Sequence, residues 1–300
     1  MTINTGLWGK ALWPGINKWY GKEYKEHPVE YTDLFDTFSA RQAWVEDVGT
    51  SGFGLLQQKG EAQGVSYDTE QQGFVSRYTM VTYALGFKIS KELFEDDLYD
   101  VVGERRARGL AFSVRQTKEN LGSLVYDRAF NSSYLGGDGV ALLATTHPNV
   151  AGGTWANKQS SDADLSEASL EDMVTLLMGF TNDRSLKISV MPKTLIVPRQ
   201  LWADAEKIMK TQYEVGTANN TVNVVRSKFP GGVKINHYVT DADAWFIRTN
   251  VRDGMKYFER RADTFDMDDD FDTDNAKYKA SFRCAFGWTD PRGLVGSQGA

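Results

Sequence analysis

The sequence is short of the residues on which most protein chemistry depends. Its 300 residues include one cysteine, Cys284, and three histidines, His27, His147 and His237. A single cysteine excludes an internal disulfide and any CxxC zinc or redox pair. The histidines lie far apart and share no motif; His147 precedes Pro148 in a turn context. No G-x-S-x-G elbow, H-E-x-x-H pair, P-loop or G-x-G-x-x-G loop occurs. A basic surplus is also missing, with 34 Lys and Arg against 40 Asp and Glu and a net charge of −6. A protein that grips nucleic acid by neutralising phosphates usually carries the opposite balance. No apolar run approaches the roughly 18 residues that a membrane helix needs. The N-terminal ten residues lack the basic-then-apolar pattern of a signal peptide. Synthesis in a cytoplasm, with no membrane partner, is the expectation.

One acidic run invites a metal reading. Asp266, Asp268, Asp270 and Asp272 fall at positions 1, 3, 5 and 7 of a calcium loop, but Phe271 stands where glycine is required and Lys277 where glutamate is required. A solvated loop or edge strand accounts for the charges, which would also discourage stray strand pairing. Cys284 falls on the apolar side of an alternating strand and reads as a small core residue. The sequence therefore predicts no catalytic residue, no cofactor and no metal.

What is present is architecture. Residues 1–50 are rich in aromatics (Trp8, Trp13, Trp19, Trp44, Tyr20, Tyr24, Tyr31, Phe35 and Phe38), with no clean helix or strand period and with Pro14 and Pro28 interrupting. Such side chains bury large areas, either at the edge of the chain's own core or as an arm on neighbouring subunits. Residues 51–90 read as a long hairpin. Val81, Tyr83, Leu85, Phe87 and Ile89 alternate with smaller or polar residues, and Phe53–Gln57 is the expected partner strand. The polar tip, Gln58 to Gly73, cannot bury itself and should project. Ser90 can cap a helix expected to run to about Asn131, with an irregularity near Asp100 or Gly103. At 1.5 Å per residue such a helix is longer than a compact domain requires.

Beyond a glycine-rich stretch, Ser166 caps a second helix with Leu170, Met173, Val174, Leu177 and Met178 on one face. A buried strand, Thr194–Val197, stops at Pro198. A third helix over 199–210 should bury Leu201, Trp202, Ala205, Ile208 and Met209. Short strands are expected around 233–238 and 244–248. A long strand alternates through Tyr278, Ala280, Phe282, Cys284, Phe286 and Trp288, and the tail from Pro291 to Ala300 reads as loose. The fold class is α+β.

The order of these parts resembles the Hong Kong 97-type capsid fold of tailed phages, and several stretches resemble its Mu-like major head proteins. They are Gly86–Asp97 entering the long helix, Leu143–Pro148 before Gly152-Gly153-Thr154, Leu195–Pro198 before a helix, Asp241–Ile247, and Trp288–Gly293. The resemblance implies an N-terminal arm over 1–50, an extended loop over 51–90, a spine helix and peripheral domain over 91–190, an axial domain over 191–255, and closing strands of the peripheral domain over 256–300. It implies a major capsid protein that assembles with itself as pentamers and hexamers into an icosahedral head around double-stranded DNA. A separate scaffolding protein, a portal and a possible decoration protein would be its other partners. Trp8, Trp13, Trp19, Phe53, Leu55, Lys59, Tyr67 and Phe74 are the implied subunit-interface residues. Lys59 lies in the loop that carries a cross-linking lysine in some relatives, but no matching asparagine motif accompanies it. The rival readings are an encapsulin shell of the same fold and a metal-dependent hydrolase built on His147 and the acidic run.

Overall fold

The computed structural model describes residues 9–90, 92, 99–213, 222–269 and 275–300. In chain order it forms helices α1 (Gly9–Glu26) and α2 (Tyr31–Leu34), strands β1 (Asp36–Ser39), β2 (Trp44–Thr50), β3 (Gln72–Thr79) and β4 (Val81–Ile89), and the spine helix α3 (Tyr99–Asp127). Strands β5 (His147–Pro148) and β6 (Thr154–Trp155), helix α4 (Glu167–Met178), strand β7 (Pro192–Pro198) and helix α5 (Trp202–Lys210) follow. Strands β8 (Val233–Asn236), β9 (Trp245–Thr249), β10 (Met255–Asp269), β11 (Ala276–Trp288) and β12 (Leu294–Ser297) close the chain.

The spine's 29 residues span about 44 Å. Its helix ends at Asp127, short of the expected Asn131, and gives way to a turn in which Ala129 N–H donates to Tyr126 O. The expected start at Ser90 falls next to residues 91 and 93–98, outside the described residues. Ala107, Leu110, Ala111 and Val114 are buried against the main sheet. Gly122 permits the closest approach: a Cβ there would stand 3.3–3.4 Å from Tyr31, Phe35 and Phe286. The spine also buries charge. Glu119 accepts hydrogen bonds from the Glu30 and Tyr31 N–H groups (3.1 and 2.9 Å) and so caps α2, while burial pushes its pKa upward.

Helix α1 corrects the expectation of an aperiodic N-terminal segment, since the helix takes in Pro14 and ends before Pro28. Packing on the spine, rather than local propensity, holds it. Arg115 stacks 3.8 Å over Tyr24 and donates to its carbonyl, and Tyr20 stacks on Phe265 at 4.5 Å. Tyr20, Tyr31 and Phe35 belong to the chain's own core.

Two four-stranded sheets organise the rest. The first has the order β1–β10–β11–β4, and the second β12–β9–β7–β8. Strand β4 pairs with β11, from Val81 opposite Cys284 to Ile89 opposite Ala276, and not with Phe53–Gln57. The two longest alternating runs in the sequence thus face each other. The hairpin's own strands are β2 and β3, paired from Trp44 opposite Thr79 to Thr50 opposite Gln72, with residues 51–71 as its loop. In the second sheet Leu195, Val197, Trp245, Ile247 and Val295 face a core with α4 and α5, while Ile196, Phe246 and Leu294 belong to the spine core. Burial on both faces explains the unbroken apolar runs in these strands.

Ser166 caps α4 through a capping box with Ser169. Leu170, Met173, Val174 and Leu177 are buried as expected, but Met178 is 41% exposed. Trp202, expected to be buried, is 51% exposed because the helix that buries Ala205 and Ile208 starts only at Trp202, after a 3-10 turn over Arg199–Leu201. The tail is a larger correction. Leu294–Ser297 is a fully buried strand paired with β9. Two glycines let it in: a Cβ on Gly254 would lie 2.8 Å from the Gly293 Cα.

Two stretches singled out in the sequence meet here as a structural knot. The Asn157 amide donates to the carbonyls of Leu142, Pro291 and Leu294 (2.7, 3.1 and 3.2 Å). That fixes its orientation, so Asn157 Oδ1 accepts from Ala144 N–H (2.9 Å) and His147 Nε2–H (3.0 Å). The other ring nitrogen of His147 pairs with an Asp138 carboxylate oxygen at 2.6 Å. Arg292, buried, donates to Thr181 O, Asn149 and Asp183 and stacks on Trp155. His147 is thus a core tie. Asn157→Asp keeps the shape and loses the donors to three carbonyls. It should cost about 2–4 kcal/mol in urea unfolding, and a wild-type midpoint would show that the amide ties nothing.

Candidate inter-subunit surface

The loop over 51–71 is fastened in two places and free elsewhere. At its root Ser51 N–H donates to Gln71 O and Gln71 N–H donates to Ser51 Oγ, both at 3.0 Å. Higher up, Asp68 accepts from Gly54 N–H (2.8 Å) and from both Arg184 terminal nitrogens, and Arg184 also donates to Thr69 O (2.8 Å). The Arg184 hydrogen bonds, with those from Gly54 and Thr69, hold the Asp68 carboxyl well below the usual carboxylate range. Beyond the second fastening, and at Phe53 between the two, the apolar side chains find no cover: Leu56 is 100% exposed, Tyr67 96%, Leu55 79%, Val65 64% and Phe53 63%. Scattered exposed leucines are ordinary, but five large apolar side chains exposed on one loop are not.

The base of this hairpin is bolted to the body. Asp47 on β2 accepts from Lys256 Nζ and from Thr289 Oγ1 (2.8 Å), and Thr289 also bonds the Tyr78 hydroxyl (2.7 Å). Burial raises the Asp47 pKa, but the Lys256 and Thr289 hydrogen bonds and the Lys256 charge outweigh it, leaving it below the ordinary 3.8. A carboxyl depressed in the folded state stabilises above its unfolded pKa and loses that contribution as pH falls through the folded value. Hydrogen-exchange protection factors at residues 44–50 and 72–79, corrected for the intrinsic pH dependence of amide exchange, should therefore fall as pH drops below 3.8. Asp47→Asn should abolish that acid step; an unchanged step in the variant would place the titration elsewhere.

Of the residues expected at an interface, Phe53, Leu55, Lys59 and Tyr67 stand exposed on this loop, and Phe74 is half-buried in β3. Trp19 is half-buried against the spine core. Trp13 lies in α1, and Trp8 is outside the described residues. Leu56 and the Arg184 clamp were missed. The signal for Leu56 was its place beside Leu55 in a glycine-rich polar stretch; residue 184 carried none. The residues considered for chemistry sit elsewhere. Burial pushes the Cys284 thiol up to about 12. Asp266 and Asp268 lie on β10 opposite Lys279 and Lys277, a favourable cross-strand arrangement. Asp270 and Asp272 fall outside the described residues. No group of three His, Cys, Asp or Glu side chains suited to a metal ion occurs among the described residues.

A projecting hairpin, a long spine helix and two sheets define a capsid-type fold, and solved structures share it. A virus-like particle from Pyrococcus furiosus matches with a TM-score of 0.53 at 13% identity, over 94% of this chain and 97% of that one. The capsid of an empty GTA particle matches at 0.56 and 14% identity, over 91% and 90%. Microbacterium phage Oxtober96 matches at 0.53 and 11% identity, over 91% and 92%. No curated protein matches the chain. The phage capsid protein family model matches residues 73–297, and the chain belongs to that family. It is a structural protein of the virion, the major capsid subunit of the phage head, and the family match favours this over the encapsulin alternative.

Proposed function

We propose that the subunit assembles as pentamers and hexamers into the closed head around double-stranded DNA, with the 51–71 loop of each copy laid on its neighbour. The exposure of Phe53, Leu55, Leu56, Val65 and Tyr67 carries this reading, because a partner that covers such a surface removes its apolar area from water. The loop's two fastenings hold it in position before any partner arrives, which lowers the ordering entropy lost on docking. Assembly takes place in the host cytoplasm, with a separate scaffolding protein, a portal and a decoration protein as further partners. DNA is enclosed without sequence recognition, in keeping with the net charge of −6. The sequence motifs favour the Mu-like group within the family.

Negative-stain electron microscopy of the purified protein, with light scattering, tests the proposal. Closed shells, tubes or discrete pentamers and hexamers are expected. A monomer or dimer at every salt and protein concentration, even with a scaffolding protein from the same genome, would overturn it.

A further inference from the structure

Four arginines line one cavity of about 470 Å³. Arg41, Arg260, Arg261 and Arg283 surround it, with Ala40 and Thr82 completing the described lining. Two features of the sheet bring them together. Arg261 stands opposite Arg283, and Arg283 opposite Thr82, so one row of residues crosses β10, β11 and β4. The pairing slips between Glu259 and Arg261, leaving Arg260 as the extra residue of a bulge. A regular strand sends successive side chains to opposite faces, whereas a bulge lets Arg260 and Arg261 border the same space. Arg41 arrives from the end of β1, where Ala40 N–H donates to Glu259 O at 2.9 Å.

The cluster lacks its counter-charge. No Asp or Glu occurs in the described lining, and among the described residues no ion pair includes any of the four. Cations buried elsewhere are matched, Arg248 by Asp36, Arg292 by Asp183 and Lys256 by Asp47, whereas the half-buried Arg260 and Arg283 and the exposed Arg41 and Arg261 are not. Arg283 Nε donates to Met80 O (3.2 Å) and Arg261 to Ser281 Oγ (2.9 Å), which holds both guanidinium groups in place. Nη1 of Arg260 is shielded from solvent and has no hydrogen-bond partner. Like charges directly opposite in a sheet are destabilising, and so is a shielded donor without an acceptor. In a chain with more acids than bases, this is a local excess that a bound anion would neutralise.

We propose that Arg41, Arg260, Arg261 and Arg283 form a binding site for a phosphate-class oxyanion. The planar forks of several guanidiniums match phosphate oxygens in pairs. A phosphate group carries up to two charges and several acceptors, whereas one carboxylate would leave most of these donors unmatched. The same chemistry is offered by free polyphosphate and by a nucleic-acid backbone. The site goes beyond the shell reading and does not depend on it.

The test uses the full chain and sodium pyrophosphate, with sodium chloride at matched ionic strength as control. Pyrophosphate should raise the melting temperature beyond the chloride control, and titration calorimetry should show saturable binding. Arg260→Gln/Arg283→Gln should weaken that binding roughly tenfold or more, while melting no lower than wild type without ligand. Arg41→Gln, outside the paired strands, should weaken it too and serves if the double variant misfolds. Arg226→Gln, an exposed arginine elsewhere, should bind as wild type. Competition by a short DNA duplex assigns the site to a nucleic-acid backbone, and its absence assigns it to free phosphate; either supports the proposal. Equal stabilisation by chloride, or unchanged affinity in both cavity variants, would overturn it. So would wild type that ignores pyrophosphate alongside a double variant that no longer forms shells, since the anion would then be a carboxylate of a neighbouring copy.

Discussion

A subunit carrying Leu55→Ser, Leu56→Ser and Tyr67→Ser is expected to unfold within about 0.5 kcal/mol of wild type and to form no shells. The first half follows from exposure, since these side chains contribute almost nothing to the isolated fold. The second follows from what docking would bury. Each leucine or aromatic side chain removed from water is worth about 1.5–3 kcal/mol, so three of them supply roughly 5 kcal/mol or more per contact. Each 1.4 kcal/mol is tenfold in affinity, so the variant's contacts should weaken roughly a thousandfold or more. Shells repeat the contact around every capsomer, which multiplies the loss. Calorimetry reads the folding half, and electron microscopy with light scattering reads the assembly half. Normal shells from the triple variant would mean that the loop is not the docking element. Equal loss of folding and assembly would mean that the loop serves the subunit's own core.

The largest effect on folding is expected at Lys118. Its side chain is 1% exposed in the middle of the spine, yet it carries a charge. Asp263 and Glu259 (3.6 Å) answer that charge from β10, Lys118 donates to the Tyr24 hydroxyl (3.2 Å), and its Nζ sits 5.1 Å from the Phe282 ring centre. This cluster ties α1, the spine and the main sheet together. Lys118→Met keeps the length and removes the charge, leaving Asp263 without its cation. Breaking a buried pair from one side costs about 3–5 kcal/mol, to be read as a lower urea midpoint at constant slope. Lys118→Met with Asp263→Leu removes both charges and should recover a large part of the loss. The non-additivity measures the coupling directly. A single variant as stable as wild type would mean that Asp263 draws its stability from elsewhere.

Elements whose periodicity served one buried face were legible. The alternation through Tyr278, Ala280, Phe282 and Cys284 became β11 with those residues buried, and Ser166 with its apolar stripe became a capped α4. Elements fixed by distant partners were not. Helix α1 has no clean stripe because its aromatics are held by Arg115, Lys118 and Phe265. Strand β12 is four residues long, too short to show a period, and Gly293, Gly296 and Gly299 disguised it as a loose tail. The partner of Val81–Ile89 was sought nearby because hairpins are local, whereas it lay in β11. The exposed loop was legible from its polar, glycine-rich composition. The Asp68–Arg184 clamp and the Asp47–Lys256–Thr289 bolt join residues far apart in sequence and left no local trace.

The pairing of β1 with β10, Phe38 opposite Phe258, has a consequence for the order of events during synthesis. Strand β1 emerges from the ribosome early, and its partner arrives only after most of the chain. Strand β4 likewise waits for β11, and β9 for β12. Non-local pairing of this kind slows folding, because loops must close before contacts reward them. Until then the apolar strand Trp245–Ile247, already paired with β7 on one side, has an open edge that any other nascent copy could pair with. For a protein made in many copies at once, the interval between translating β9 and docking β12 is the period of greatest aggregation risk.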